Sequence, residues 1–283
     1  MSGTGQNGTG QHGTIVMIHG MWGRAEIWGE FRTYFEARGY RCDAVTLRHH
    51  GGDPAAPPHP ELGTTSILDY AADLEKTLRQ YPEPPIVMGW SMGGLLAQML
   101  AARGLAKAVV LLMPAPPAGV FALKLSVIRG FLSGLTRWAF WRKSHRQTFG
   151  EAAYSMLHLM PENERRPIYD AFGYESGRAA AEIGFWLLDR TRASRVDPAQ
   201  VTCPVLVVAG KEDRIVPASV VKQVARRYRA EYVEMENHAH WVVAEPGWRD
   251  VAAVAADWLE KTLPTEIKTE AKAVPAPTPP PAG

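Results

Sequence analysis

The stretch Ile86-Val87-Met88-Gly89-Trp90-Ser91-Met92-Gly93-Gly94 decides how this chain is read. Its first four residues form a short apolar run of the kind a buried parallel strand uses. Residues 92–102 follow as an apolar, small-residue-rich helical segment suited to tight packing under a sheet. Between the two, a serine has glycine two positions away on either side. A tight strand-to-helix turn needs that spacing, because larger side chains would crowd the turn and the adjoining helix. Such a turn lifts the Ser91 hydroxyl above the sheet and aims backbone N–H groups at the carbonyl it would attack. Ser91 is therefore the candidate nucleophile.

Working outward, similar runs occur at 14–19 (TIVMIH), 42–47 (CDAVTL), 108–113 (AVVLLM), 204–209 (PVLVVA) and 231–235 (EYVEM). None is separated from the next by a hairpin-length gap, so the six runs predict a parallel sheet. Helical patterns lie at 26–38, 66–80, 92–102, 219–228 and 248–263. The second opens with a possible capping box, Ser66 with Asp69, and sets Ile67, Tyr70, Ala71, Leu74 and Leu78 on one face. This alternation predicts an α/β fold, a doubly wound, mostly parallel sheet built from residues 14–113 and 197–263. Residues 114–196 interrupt it with far more chain than one crossover needs, and read as an inserted helical cap. Residues 1–13 form a glycine-rich arm and 264–283 a proline-rich tail, both expected to lack fixed structure.

Composition narrows the class. The chain has 283 residues, 46% of them hydrophobic, enough for one large core. Lysine and arginine number 31 against 29 acidic residues, and a net charge of +2 gives no global argument for nucleic acid. Only Cys42 and Cys203 are present, which excludes a disulfide scaffold. No apolar run is long enough to span a membrane, and the N-terminus lacks a basic-then-apolar signal pattern. The chain reads as cytoplasmic, with no membrane association expected and its oligomeric state open.

A serine hydroxyl needs a base, and the base needs an orienting carboxylate. Asp213 lies just after the 204–209 strand, and two histidines, His238 and His240, follow the 231–235 strand. Both sites fall at strand C-terminal ends, where an open parallel sheet gathers ligands. Context favours His240, which precedes Trp241 and the approach to the last helix, with His238 as a neighbouring polar contact. Glu212 reads as a solvated loop charge and Asp197 sits before its strand, leaving Asp213 as the acid. An oxyanion hole is expected from the backbone N–H groups of Met21 and Met92. His19, at a strand end beside glycine, is expected to hold its loop and not to act as the base.

Together these residues resemble the α/β-hydrolase superfamily, in its branch of compact, capped esterases and lipases. His19-Gly20 resembles that family's oxyanion loop, and Gly89 to Gly93 its nucleophile elbow. Gly210, Asp213 and Val216-Pro217 resemble its acid loop, while His240-Trp241 with Glu245-Pro246 resemble its histidine loop. The likeness spans about residues 14–263. It departs in lacking the first two strands of larger members, and in carrying Asn237-His238-Ala239 where glycine commonly precedes the catalytic histidine. The resemblance implies a Ser91–His240–Asp213 triad. Serine at the elbow argues against carbon–halogen, epoxide and dienelactone chemistry. Hydrolysis of a small-to-medium hydrophobic carboxylic ester is the leading expectation. Carbon–carbon, thioester, lactone and cofactor-free perhydrolase chemistry share the machinery, and a non-catalytic binding protein is the remaining class. No cofactor is expected. Nor is a metal, since the paired histidines of Arg48-His49-His50-Gly51-Gly52-Asp53 lack a separated ligand cluster.

For the pocket, Trp22, Trp90, Phe121, Leu125, Trp138, Trp186 and Trp241 are the residues expected to bind substrate. Residues 114–150 hold no acid but carry Lys124, Arg129, Arg137, Arg142, Lys143 and Arg146. Those cations would suit an acidic substrate group or a lipid surface, beside the plainer reading of an amphipathic helix laid on the sheet.

Overall fold

The apolar runs become the sheet. Residues 12–263 are described by the structure, a computed structural model. Its strands are β1 (Thr14–Ile18), β2 (Arg41–Val45), β3 (Ile86–Trp90), β4 (Ala108–Leu112), β5 (Ser144–His145), β6 (Glu175–Ser176), β7 (Val205–Gly210) and β8 (Glu231–Met235). Six of them form one sheet in the order β2-β1-β3-β4-β7-β8, every pair parallel. The four central strands are buried along their whole length, while β2 and β8 at the edges are largely half-exposed. That is why the central runs read as continuous apolar segments without alternation.

Helices α1 (Gly29–Glu36), α2 (Ile67–Leu78) and α3 (Met92–Ala101) belong to the first half of the sheet. Between β4 and β7 run five short helices, α4 (Leu125–Gly130), α5 (Leu132–Leu135), α6 (Phe149–Ser155), α7 (Glu162–Asp170) and α8 (Gly177–Gly184). α9 (Ala218–Tyr228) and α10 (Trp248–Thr262) complete the fold. The expected 26–38 helix starts late, because Ala25–Trp28 winds as a 3-10 turn before Gly29. The capping box forms: Ser66 Oγ accepts from the Leu68 N–H and Asp69 accepts from the Ser66 N–H. The arm and the tail lie outside the described residues except for His12 and Gly13. Gly13 accepts from the Arg41 N–H at 3.0 Å, so the end of the expected free arm is already tied to β2.

The sheet order places a topological switch between β1 and β3, and the crevice beyond their C-terminal ends is where such folds bind ligands. The 113–204 stretch is fastened over that end by buried polar contacts. Glu175, on β6, is fully buried and accepts from Tyr70 Oη (2.8 Å), His50 Nε2 (3.2 Å) and its neighbour's amide, Ser176 N (2.6 Å). The other His50 nitrogen faces the Arg48 carbonyl at 2.9 Å. Burial pulls the His50 pKa down, but Glu175 overrides it and holds the imidazole above its ordinary range. Glu182, on α8, accepts from Ser66 Oγ and the Ile67 N–H at the start of α2. The antiparallel β5–β6 ribbon that presents Glu175 has two residues per strand, too few to leave a period in the sequence.

Candidate active site

Ser91 occupies the bend between β3 and α3 with φ 56° and ψ −120°, a left-handed-side conformation that costs a non-glycine residue free energy. The surroundings hold it there. Its N–H donates to Leu112 O (3.0 Å), and its carbonyl accepts from Ala115 N (2.8 Å). The flanking glycines have a specific steric reason. A Cβ on Gly93 would overlap the Ile18 carbonyl of β1, and one on Gly89 would overlap the Gly93 carbonyl.

Ser91 Oγ–H faces His240 Nε2 at 2.9 Å, and His240 Nδ1 faces Asp213 Oδ2 at 2.7 Å. A carboxylate can only accept, so Nδ1 carries the imidazole proton and Nε2 presents its lone pair to the serine. The other carboxylate oxygen, Asp213 Oδ1, accepts from Ile215 N (2.7 Å) and Val216 N (2.8 Å). All three side chains are nearly removed from solvent. His238 goes elsewhere: its Nδ1 meets Glu245 Oε1 at 3.0 Å, and the same oxygen accepts from Ala239 N at 2.9 Å. Glu245 thus clamps the two residues that precede His240. Removing it leaves two buried donors unpaired, a loss of roughly 2–3 kcal/mol. Glu245→Ala is expected to lower the thermal midpoint by about 5–10 °C and to reduce hydrolytic turnover. Glu245→Gln keeps Oε1 and stays close to wild type in both melting and kinetics.

His19 behaves as a loop anchor. Its Nε2 accepts from the Leu47 N–H (3.1 Å) and its Nδ1 faces Gly20 O (2.8 Å). Burial, with His50 beside it, pushes its pKa down to about 3, so the ring stays neutral. The loop it anchors lies against the serine: a Cβ on Gly20 would stand 2.7 Å from Ser91 Cβ. Met21 follows directly, and Met92 opens α3 with an amide that has no intrahelical acceptor.

An apolar cavity of about 90 Å³ opens from Ser91, walled by Met21 and Met92 below and by Val127, Phe131, Leu135 and Ile183 above. None of the seven residues expected to bind substrate is on that wall, and each correction has a reason. Trp90 is fully buried beneath the site and donates its Nε1–H to the His240 carbonyl (2.7 Å), supporting the histidine loop. Trp241 packs edge-on against Trp90 at 5.2 Å, and Trp22 stands behind the wall, its Nε1–H on His145 O. Leu125 (86% exposed), Trp138 (84%) and Phe121 (63%) face solvent. Trp186, half-buried, packs against Phe121 with the rings tilted at 53°, centroids 5.1 Å apart. Val127, Phe131 and Leu135, which do form the wall, recur every four positions along α4 and α5.

Among the described residues, His49, His59 and Glu61 bring three possible metal-ligand atoms within 4.8 Å of one another. His59 Nδ1 already accepts from the Glu61 N–H (3.2 Å), which fixes its ring proton on Nε2. Coordination through either nitrogen would disturb that bond, so the group is a poor ready-made site. His50, its neighbour in sequence, is committed to Glu175. No helix of the described residues is long and apolar enough to cross a membrane.

With the sheet, the elbow and this hydrogen-bonded chain in view, the relatives agree with the fold. The alpha/beta hydrolase family model matches residues 15–256, and the chain belongs to that family. A pimeloyl-[acyl-carrier protein] methyl ester esterase of Aromatoleum aromaticum is 27% identical over 234 residues, which cover 75% of this chain and 84% of that protein. Among solved structures, a monoacylglycerol lipase of Paleococcus ferrophilus superposes with a TM-score of 0.66 at 20% identity, covering 90% of this chain and 96% of that one. A methylesterase from Arabidopsis gives 0.66 at 12% identity, over 88% and 99%. At such identities the two structures speak for the fold alone.

Proposed function

We propose that this chain is a serine hydrolase of carboxylic esters, with Ser91 as nucleophile, His240 as base and Asp213 as its orienting carboxylate. The observation that carries the reading is the continuous chain from Ser91 Oγ through both His240 nitrogens to Asp213, at the mouth of an apolar cavity. Ser91 Oγ attacks the ester carbonyl while His240 Nε2 takes its proton. The Met21 and Met92 N–H groups receive the charge that develops on the carbonyl oxygen. His240 then protonates the departing alcohol, and a water activated by the same nitrogen releases the acyl group. The segment between β4 and β7 acts as a cap, since it supplies most of the cavity wall.

The cavity's size and apolar wall favour a small-to-medium hydrophobic chain, and the 27% identical relative is named for cleaving a methyl ester. The test is hydrolysis of p-nitrophenyl esters from acetate to palmitate. Turnover is expected to peak at short or medium chains and to fall at palmitate. Silence across the whole series would overturn the reading and return the chain to carbon–carbon, thioester or binding functions.

A further inference from the structure

The wall of the cavity beside Ser91 carries two polar side chains, and the mechanism uses one. The other is His145, on β5. Its ring is held firmly. The backbone carbonyl of His145 accepts from Trp22 Nε1 (3.3 Å), and its imidazole stands edge-to-face with the Trp22 ring, centroids 5.6 Å apart at 89°. Phe131 lies at 6.3 Å, and Gly134 leaves just enough room, since a Cβ there would come within 3.2 Å of His145 Cδ2. The residue is only 6% exposed.

Among the described residues, two histidines hold buried ring nitrogens without a partner, His145 and His158, and of these two it is His145 that lines the cavity beside Ser91. Nδ1 is buried and meets no protein acceptor or donor among the described residues, and no bond to Nε2 is formed either. His19, His50 and His240 pair both ring nitrogens, and His238 pairs its Nδ1 with Glu245. A buried, unpaired polar group costs about 1–3 kcal/mol, and a phenylalanine would fill the same space without that cost. Nδ1 is closed off on every side, so Nε2 is the ring nitrogen left to meet a group in the cavity that His145 lines.

We propose that His145 is a polar subsite for substrate: it hydrogen-bonds a neutral oxygen function, keto or hydroxyl, carried on the chain of an ester whose carbonyl sits at Ser91. The inference rests on the Ser91 reading for where the ester lies, and on the geometry around His145 for the rest. Burial holds the imidazole below the usual histidine range, with Arg137 adding to the effect against Glu175 and Glu151, so the ring is uncharged at neutral pH. A neutral imidazole offers one N–H and one lone pair. It suits a ketone or alcohol, whereas a carboxylate would be buried there without a cation. An apolar pocket with a single well-placed polar group is a common way to fix the orientation of a small ligand.

The experiment compares p-nitrophenyl hexanoate with its 4-oxo and 5-oxo derivatives, in wild type, His145→Phe and His145→Gln. Wild type is expected to favour one oxo ester by about tenfold in kcat/KM, the worth of one neutral hydrogen bond. In His145→Phe that ratio falls to about one, while His145→Gln, which can still donate and accept, keeps part of it. A wild type that prefers neither oxo ester, or a preference that survives in His145→Phe, overturns the proposal. A second arm measures calorimetric binding of hexanamide and 5-oxohexanamide to wild type and His145→Phe, with no chemistry required. Tighter binding of the oxo amide, lost in His145→Phe, supports the subsite even if no ester is cleaved; equal binding of the two amides overturns it. Cleavage of plain hexanoate without oxo preference would sink the subsite and leave the Ser91 reading standing.

Discussion

Ser91→Ala is expected to lower kcat for ester hydrolysis by about 10⁶-fold, the scale seen when a triad nucleophile is removed. KM should move only a few-fold, because the cavity wall that binds the chain is untouched. The substitution is a clean one here. Alanine at φ 56° bears the same backbone strain as serine, and the bonds that hold the turn, from Ser91 N to Leu112 O and from Ala115 N to Ser91 O, involve the main chain only. The thermal midpoint should therefore stay within a few degrees of wild type. Residual activity of more than about a thousandth of wild type, after controls for contaminating esterase, would remove Ser91 from the mechanism. A binding protein on this scaffold would make the variant and the parent indistinguishable.

Some of this architecture was legible in the residues, and the reason is steric. Gly89 and Gly93 announce the elbow because their neighbours are carbonyl groups, of Gly93 and of Ile18, that leave no room for a Cβ. The central strands announce themselves because both faces are covered. The choice between His238 and His240 was harder. Both rings are buried, and what separates them is Glu245, seven residues on, which takes His238 and leaves His240 for Asp213. The pocket residues are hard to read from the sequence for a physical cause. Large side chains must be buried somewhere, but size does not say on which face. Trp22, Trp90 and Trp241 are buried beneath or behind the cavity, while Leu125 and Trp138 project away from it. α4 and α5 meet at Phe131, whose N–H donates to Val127 O and whose carbonyl accepts from Leu135 N, so the three wall residues keep a spacing of four across the junction. His145 sits on a two-residue strand and is invisible to any periodicity.

Asp213→Asn is the second large effect, and here the isosteric change is expected to be at least as damaging as deletion to alanine. Asp213 Oδ1 accepts from the Ile215 and Val216 N–H groups, two donors that an amide NH₂ cannot satisfy. Asparagine must keep its carbonyl oxygen toward them. That turns its NH₂ toward His240 Nδ1, where the carboxylate oxygen stood at 2.7 Å. Nδ1 then has to accept, the ring proton moves to Nε2, and His240 presents an N–H to Ser91 Oγ in place of a lone pair. The base is present, correctly placed and in the wrong tautomer. A loss of about 10⁴-fold in kcat follows, with the fold intact. Alanine imposes no tautomer, although it leaves the two amides and the imidazole without their partner. Comparing kcat and thermal midpoint for both variants separates the effects. The alanine form should melt lower because it abandons three buried hydrogen bonds, while the asparagine form should melt near wild type and be no more active. An asparagine variant within tenfold of wild type would mean that the Asp213 contact serves the loop and not the proton.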